Sequence, residues 1–417
     1  MFVIGRSLDK TTRGSIYLSI VLIITIVILM PLADSLTGFL MKYGISTPGS
    51  LATPSQIVRL FLLFIIILLN LQRSQWNFIL PLTCYVLLLE TVLLLAHQSL
   101  AGYVMGLVFS YKLLLPFYIY YGLNKAINVL GFSKDDFYKI FVFTAIVYIA
   151  YFHLGNIVLF KSGKIDSIFR TTGLFSSGNG LGVLFGVFSI ILLHLKNVKQ
   201  ELDWRYNFLY FNLLLVLILL STKASIVFLI LNFLVLFLRL KRSKKVRLSG
   251  LMAIALYYFG DTLKLFFETA FELIIFRYTH RTSLTSFLLG GRENYFDDAW
   301  ANMESWSYFF LRLLFGGGSF LSFELSDSYS MRYKMLESDV SDIFFMYGLL
   351  GLSALLLFIR WSFKGLRSGD NVLVLGLFVF YMHSFLAGHT LFNGMSILGL
   401  IFILTLKKIG NKTLTCE

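Results

Sequence analysis

Long apolar runs alternate with short polar stretches along the whole chain. The runs lie at 15–33, 56–71, 78–96, 101–121, 138–160, 176–195, 206–220, 223–240, 249–267, 341–360, 371–388 and 392–408. A membrane-spanning helix needs about 20 mostly apolar residues, so the pattern predicts about twelve spans and an all-α polytopic membrane protein. The seventh and eighth runs form one apolar stretch broken only by Ser221, Thr222 and Lys223. That stretch is too long to cross a bilayer once, and the polar break predicts a tight hairpin. The first run follows Arg6, Lys10 and Arg13 in the manner of a signal peptide. Its length and the lack of a small-residue cleavage site predict a retained first span.

One connection is not short. Residues 268–340 separate the ninth and tenth spans, which divides the chain into spans one to nine (1–267), a large loop (268–340) and spans ten to twelve (341–417). Long loops inside a compact protein are usually functional. In this one, aromatics recur at helical spacing through YFDDAWANMESWSYFFLRLLF (Tyr295 to Phe315), interleaved with Asp297, Asp298, Glu304 and Arg312. The pattern predicts an amphipathic helix on the membrane surface or folded over the bundle, stopped by Gly316-Gly317-Gly318. No Lys-Ser/Thr follows those glycines, so they are not read as a phosphate loop.

Composition agrees with the runs. Of 417 residues, 57% are hydrophobic and 14% charged, against about 45–50% and about 25% in soluble domains. The net charge of +14 would suggest nucleic acid but for where the charge sits. With the N-terminus cytoplasmic, the inward loops carry Arg73; then Lys125, Lys134 and Lys139; then Lys196, Lys199 and Arg205. The dense run RLKRSKKVR (Arg239 to Arg247) follows, then Arg360, Lys364 and Arg367, and last Lys407, Lys408 and Lys412. Positive charge on one set of short loops sets orientation and predicts both termini in the cytoplasm. No nucleic-acid partner is implied. Two cysteines, Cys84 and Cys416, make neither a disulfide framework nor a metal set.

With that topology, Arg170, Arg277, Arg281, Arg292, Arg312, Arg332 and Lys334 fall on the outer side, where positive charge is normally depleted. Arginine offers phosphate a planar fork of donors and stays charged. Arg170 opens RTTGLFSSGNG at the start of the sixth span, and Arg292 stands in GGRENYFDDAW. Both are candidates to hold a diphosphate at the membrane boundary. Arg277, Arg281 and Arg312 read first as surface or snorkelling arginines. A second group, ESDVSDIFFMYGLLG (Glu337 to Gly351), places Glu337, Asp339 and Asp342 before the tenth span. It suits either a solvated helix start or a carboxylate base beside the arginines. Of six histidines, none has metal-ligand spacing. His389, among small polar residues at an outer end, is the best candidate for a functional one.

The order of these features resembles the Wzy-type O-antigen polymerases and the related O-antigen ligases. The likeness rests on R-x-x-G-x-F-x-x-x-N (Arg170, Gly173, Phe175, Asn179) and on the polar break Ser221-Thr222-Lys223. It rests also on Gly291, Arg292 and Trp300 in the long loop, on F-G-x-G (Phe315, Gly316, Gly318), and on E-S-D followed by Y-G-x-x-G (Glu337 to Gly351). The resemblance implies a GT-C-like, metal-independent glycosyltransferase of the bacterial inner membrane that needs no cofactor. It would polymerise undecaprenyl-diphosphate-linked oligosaccharide repeat units into O-antigen, for lipopolysaccharide, at the periplasmic face. A polysaccharide chain-length regulator is a possible partner. The resemblance assigns catalysis to Arg170, Arg292, Glu337 and Asp339. It assigns substrate binding to Arg170, Asn179, Lys223, Arg292 and Trp300, to which the outer-side reading adds Arg277, Arg281 and His389. In the ligase pattern a histidine stands where this chain has Glu337, which argues against ligation of glycan to lipid A–core. The general base is then Glu337 by position, or Asp339 or His389 by chemistry. A lipid-linked oligosaccharide flippase is the reading from another class, although the halves show no repeat.

Overall fold

The structure is a computed structural model. It describes residues 10–46, 53–70, 79–97, 100–162, 169–198, 204–280, 293–305, 308–322, 336, 338–364, 366, 370–386, 388 and 390–412. Every regular element among the described residues is helical. The chain begins with α1 (Lys10–Ile24), a π-helical turn (Thr25–Leu29) and α2 (Met30–Lys42) in one continuous rod. Then follow α3 (Pro54–Asn70), α4 (Ile79–His97), α5 (Leu100–Val129), α6 (Lys134–Lys161) and α7 (Gly178–Val198). Next come α8 (Trp204–Leu220), α9 (Lys223–Arg239) and α10 (Arg242–Thr279). The long connection holds α11 (Glu293–Glu304), α12 (Phe309–Phe315) and α13 (Gly318–Leu321). The chain closes with α14 (Asp339–Phe363), α15 (Asn371–Leu386) and α16 (Gly394–Lys412).

A helix lies over each apolar run. Five segments are long and apolar enough to cross a membrane: Arg13–Lys42, Gly102–Leu130, Lys134–Lys161, Gly178–Lys196 and Asp339–Phe363. Large apolar side chains such as Phe64, Phe143, Phe160, Phe211, Ile230 and Phe378 stay exposed on the outside of the bundle. Water would penalise such a belt and hydrocarbon would not. The chain is therefore an all-α, membrane-embedded protein. At its centre stands α7, apolar on every face and buried on nearly all of them, packed by α8, α9, α15 and α16. Around it Phe141, Phe188 and Phe402 meet in edge-to-face contacts.

Local breaks follow their residues. Pro31 supplies no N–H to the turn before it, and the rod widens there into its π turn. The expected hairpin is present. Ser221, at φ +47°, ends α8, and Thr222 caps α9 in a reciprocal pair with Ser225.

Two expectations change. The ninth apolar run is the middle of α10, whose 38 residues extend past it to Thr279, about 57 Å at 1.5 Å per residue. The amphipathic stretch is two helices, α11 and α12, and not one; it does stop at Gly316.

Candidate functional site

Polar groups gather at one end of the bundle. There α2 and α6 stop, α3, α7 and α16 start, and the α8–α9 hairpin turns. The segment 169–177, between α6 and α7, lies across this end. Phe175 anchors it, fully buried and stacked on Tyr148 with ring centroids 5.6 Å apart. Lys42, the last residue of α2, donates from Nζ to Thr172 Oγ1 at 2.8 Å and to the Gly173 carbonyl. The hairpin tip touches α7, since Thr222 sits against Gly178 and Gly182.

Beneath the segment is a polar cavity of about 150 Å³, lined by Asp34, Ser55, Arg59, Lys112, Ser176 and Asn393 among others. Asp34 accepts from Ser55 Oγ at 2.6 Å, from Arg59 Nη2 at 2.5 Å and from Tyr148 Oη at 3.3 Å. Arg59 and Asp34 are a buried ion pair, 11% and 4% exposed. The first turn of α16 closes the cavity. A Cβ on Gly394 would lie 2.2 Å from Arg59 Nε, so only glycine lets the guanidinium lie this close. Asn393 Oδ1 accepts from the Met395 N–H, and its amide donates to Ser177 Oγ. Ser176, which is exposed, forms the rim.

The sequence candidates divide. Arg170 is at this end, in the left-handed region at φ +61°, where a non-glycine residue is unusual. Its guanidinium pairs with Glu272 of α10 at 2.6 Å. Asn179 is exposed in the first turn of α7, and Lys223 opens α9. Trp300 is apart from them. It packs α11 against α12, with Phe296 stacked at 6.3 Å, Phe309 edge-on and Nε1 donating to Glu304 at 2.6 Å. Arg277 lies on α10, but its side chain is outside the described residues, as are Glu337, Arg281, Arg292 and His389.

Asp339 and Asp342 are fully buried, which corrects the reading of a solvated acidic helix start. Asp339 Oδ2 accepts from Ser384 Oγ at 2.6 Å and from the Thr390 and Leu391 N–H groups at 2.9 Å. It thereby fixes the turn that carries Asn393 into the cavity. Asp342 Oδ1 accepts from the Leu336 N–H. Arg312 is likewise no surface arginine. It is 6% exposed and donates to the Asn302 carbonyl and Oδ1 at 3.1 and 3.2 Å. Burial pushes its guanidinium down to about 10, so it stays charged near neutral pH.

The two glycine motifs meet each other. The chain of α14 breaks at Tyr347 and Gly348, the latter at φ +60°. A Cβ on Gly316 would lie 2.2 Å from the Met346 carbonyl, and one on Gly348 2.4 Å from the Leu314 carbonyl. The break frees carbonyls, and Gly317 N–H and Ser322 Oγ donate to that of Phe345. Glu90 of α4, 3% exposed, seals the junction. It accepts from the Ser319 N–H at 3.0 Å and from Tyr347 Oη at 3.5 Å.

Asp34, Arg59, Lys112 and Glu90 belong to none of the sequence motifs. Each is an ionisable residue inside an apolar helix, and that alone marks it out, because such residues are costly in a membrane. Among the described residues no group of three or more potential metal ligands occurs. No family model matches the chain, and no match is found among curated proteins or solved structures.

Proposed function

We propose that the chain is an oligosaccharide repeat-unit polymerase, a metal-independent glycosyltransferase acting on undecaprenyl-diphosphate-linked glycans at the periplasmic face of the bacterial inner membrane. One observation carries this reading. Arg59 and Lys112 line a polar cavity at one end of an apolar bundle, and Lys42 and Arg170 stand at the same end, Lys42 bonded to the segment 169–177 that carries Arg170 and the rim residue Ser176. Cations held in place before the reaction stabilise negative charge as it develops on a leaving diphosphate. In the transfer, an acceptor sugar hydroxyl oxygen bonds to the donor's anomeric carbon. The bond from that carbon to the diphosphate oxygen breaks. Undecaprenyl diphosphate leaves with the electron pair, and a carboxylate takes the hydroxyl proton. Glu337 is the proposed base by position. Asp339, whose Oδ2 is committed to three donors, positions the Asn393 turn.

The test uses the purified full chain in detergent with lipid-linked repeat units. Chain growth is expected, and Glu337→Gln should slow it by about 10²–10⁴, as loss of a general base does. Asp342→Asn, which keeps the acceptor for Leu336, should have a small effect. Absence of chain growth, with movement of lipid-linked units across sealed vesicles, would replace the polymerase by a flippase. In a deletion strain, lipopolysaccharide bearing one repeat supports polymerisation, and bare core would support the ligase.

A further inference from the structure

We infer that the Arg59–Lys112 cavity is itself an anion site, built for a phosphate group one layer beneath the Arg170 segment. Its charges do not balance. Among the described residues one carboxylate, Asp34, lines it against two cations, Arg59 and Lys112. Asp34 is already occupied by Ser55, Arg59 and Tyr148. Lys112 has no hydrogen bond or carboxylate partner among the described residues; its contact is the Phe109 ring, 4.8 Å from Nζ. Arg59 Nε is buried with no hydrogen-bond partner. A cation taken from water and left unmatched is costly, and here the missing partner is the ligand.

The surroundings select its chemistry. A guanidinium and an ammonium converge, and hydroxyls of Ser55 and Ser176 and the amide of Asn393 line the same walls. The first turn of α16, a 19-residue helix, adds the positive end of its dipole. An arginine fork beside a lysine point charge suits phosphate oxygens. At roughly 30 Å³ per water, the cavity holds a small anion and not a saccharide. A glycan on that phosphate would remain outside, past the rim at Ser176. The ligand is therefore a lipid-carrier headgroup or free phosphate. The carrier's identity rests on the polymerase proposal, whereas the binding does not.

The test is titration of the purified full chain with inorganic diphosphate, with undecaprenyl diphosphate as competitor. Wild type should bind diphosphate saturably. Lys112→Met removes no hydrogen bond and should weaken binding at least about tenfold, while Lys112→Arg should stay within about threefold. Lys264→Met, on exposed α10, should bind as wild type. If Lys112→Met does not fold, Asn393→Asp is the second variant. It keeps the acceptor for the Met395 N–H, adds negative charge to the cavity, and should also weaken binding at least about tenfold. Competition by undecaprenyl diphosphate assigns the site to the headgroup, and its absence assigns it to free phosphate. Non-saturable binding by wild type, or equal binding by wild type and Lys112→Met or Asn393→Asp, overturns the inference. Lys112-dependent binding in a protein that polymerises nothing would leave the anion site standing and remove the polymerase.

Discussion

At the scale of single residues, the informative groups are charges that the bundle has taken out of water. Arg59 and Asp34 depend on each other. Arg59→Ala leaves the Asp34 carboxylate buried with two hydroxyl donors, and breaking such a pair costs about 3–5 kcal/mol. The single variant should melt well below wild type in detergent. Asp34→Asn combined with Arg59→Gln should recover much of that loss, because no buried charge is then stranded. Additive losses would mean that the two do not interact. Arg312 makes a different case. Its Nη1 donates to two oxygens of Asn302 while the rest of the guanidinium lies flat against Gly317, a contact that lysine's ammonium cannot reproduce. Arg312→Lys should cost about 1–3 kcal/mol, read as a lower melting temperature. An unchanged melt would return it to the surface role its sequence suggested. The difference arises because the amphipathic pattern shows that Arg312 interrupts an apolar face but not what stands opposite. Asn302 comes ten residues earlier, on another helix.

At the scale of elements, the hydrophobic pattern was sufficient for most helices. Each apolar run carries one, and the Ser221–Lys223 break is a hairpin as its chemistry required. Breaks inside a run were less legible. The π turn before Pro31 and the kink at Tyr347–Gly348 are hidden because the flanking residues remain apolar. The kink depends on a partner distant in sequence, the Phe315–Gly318 turn that fills it. Gly316 has φ +89° and ψ 174°, a region open almost only to glycine. Gly316→Ala should therefore lower the melting temperature strongly, by about 1–3 kcal/mol of backbone strain and by its collision with the Met346 carbonyl. Gly260→Ala, where nothing lies within 4 Å of the added carbon, should be neutral or slightly stabilising. Equal effects would show that the two glycine motifs do not hold each other. The same distance in sequence hides the cavity from any local pattern. Its walls come from α2, α3, α5 and α16, which share no local motif.

At the scale of the whole molecule, the basic loops and the polar cavity lie at opposite ends. The basic loops Lys125–Lys139 and Arg239–Arg247 lie away from the end that holds Arg170, Asn393 and the cavity. The orientation proposed from the positive-inside rule turns the cavity end outward. On that proposed orientation, a tag placed within 320–330 should be reached by reagents from outside the membrane, and one within 242–246 should not. Labelling of both from the same side would put the cavity and the basic run in one compartment and contradict the proposed site. The central position of α7 also bears on how the molecule is made. Two of the four helices that enclose it, α15 and α16, lie near the other end of the chain. During synthesis α7 enters the bilayer long before they exist and must remain in lipid until they arrive. It can wait there because its span holds few polar groups; Ser189 bonds back to the carbonyl of Gly186 in its own helix, and His194 stands towards the far end of the helix. The uniform apolarity of α7 thus serves twice, as a tolerable state in bare lipid early and as packing later. The closure of the bundle around α7 belongs to α15 and α16.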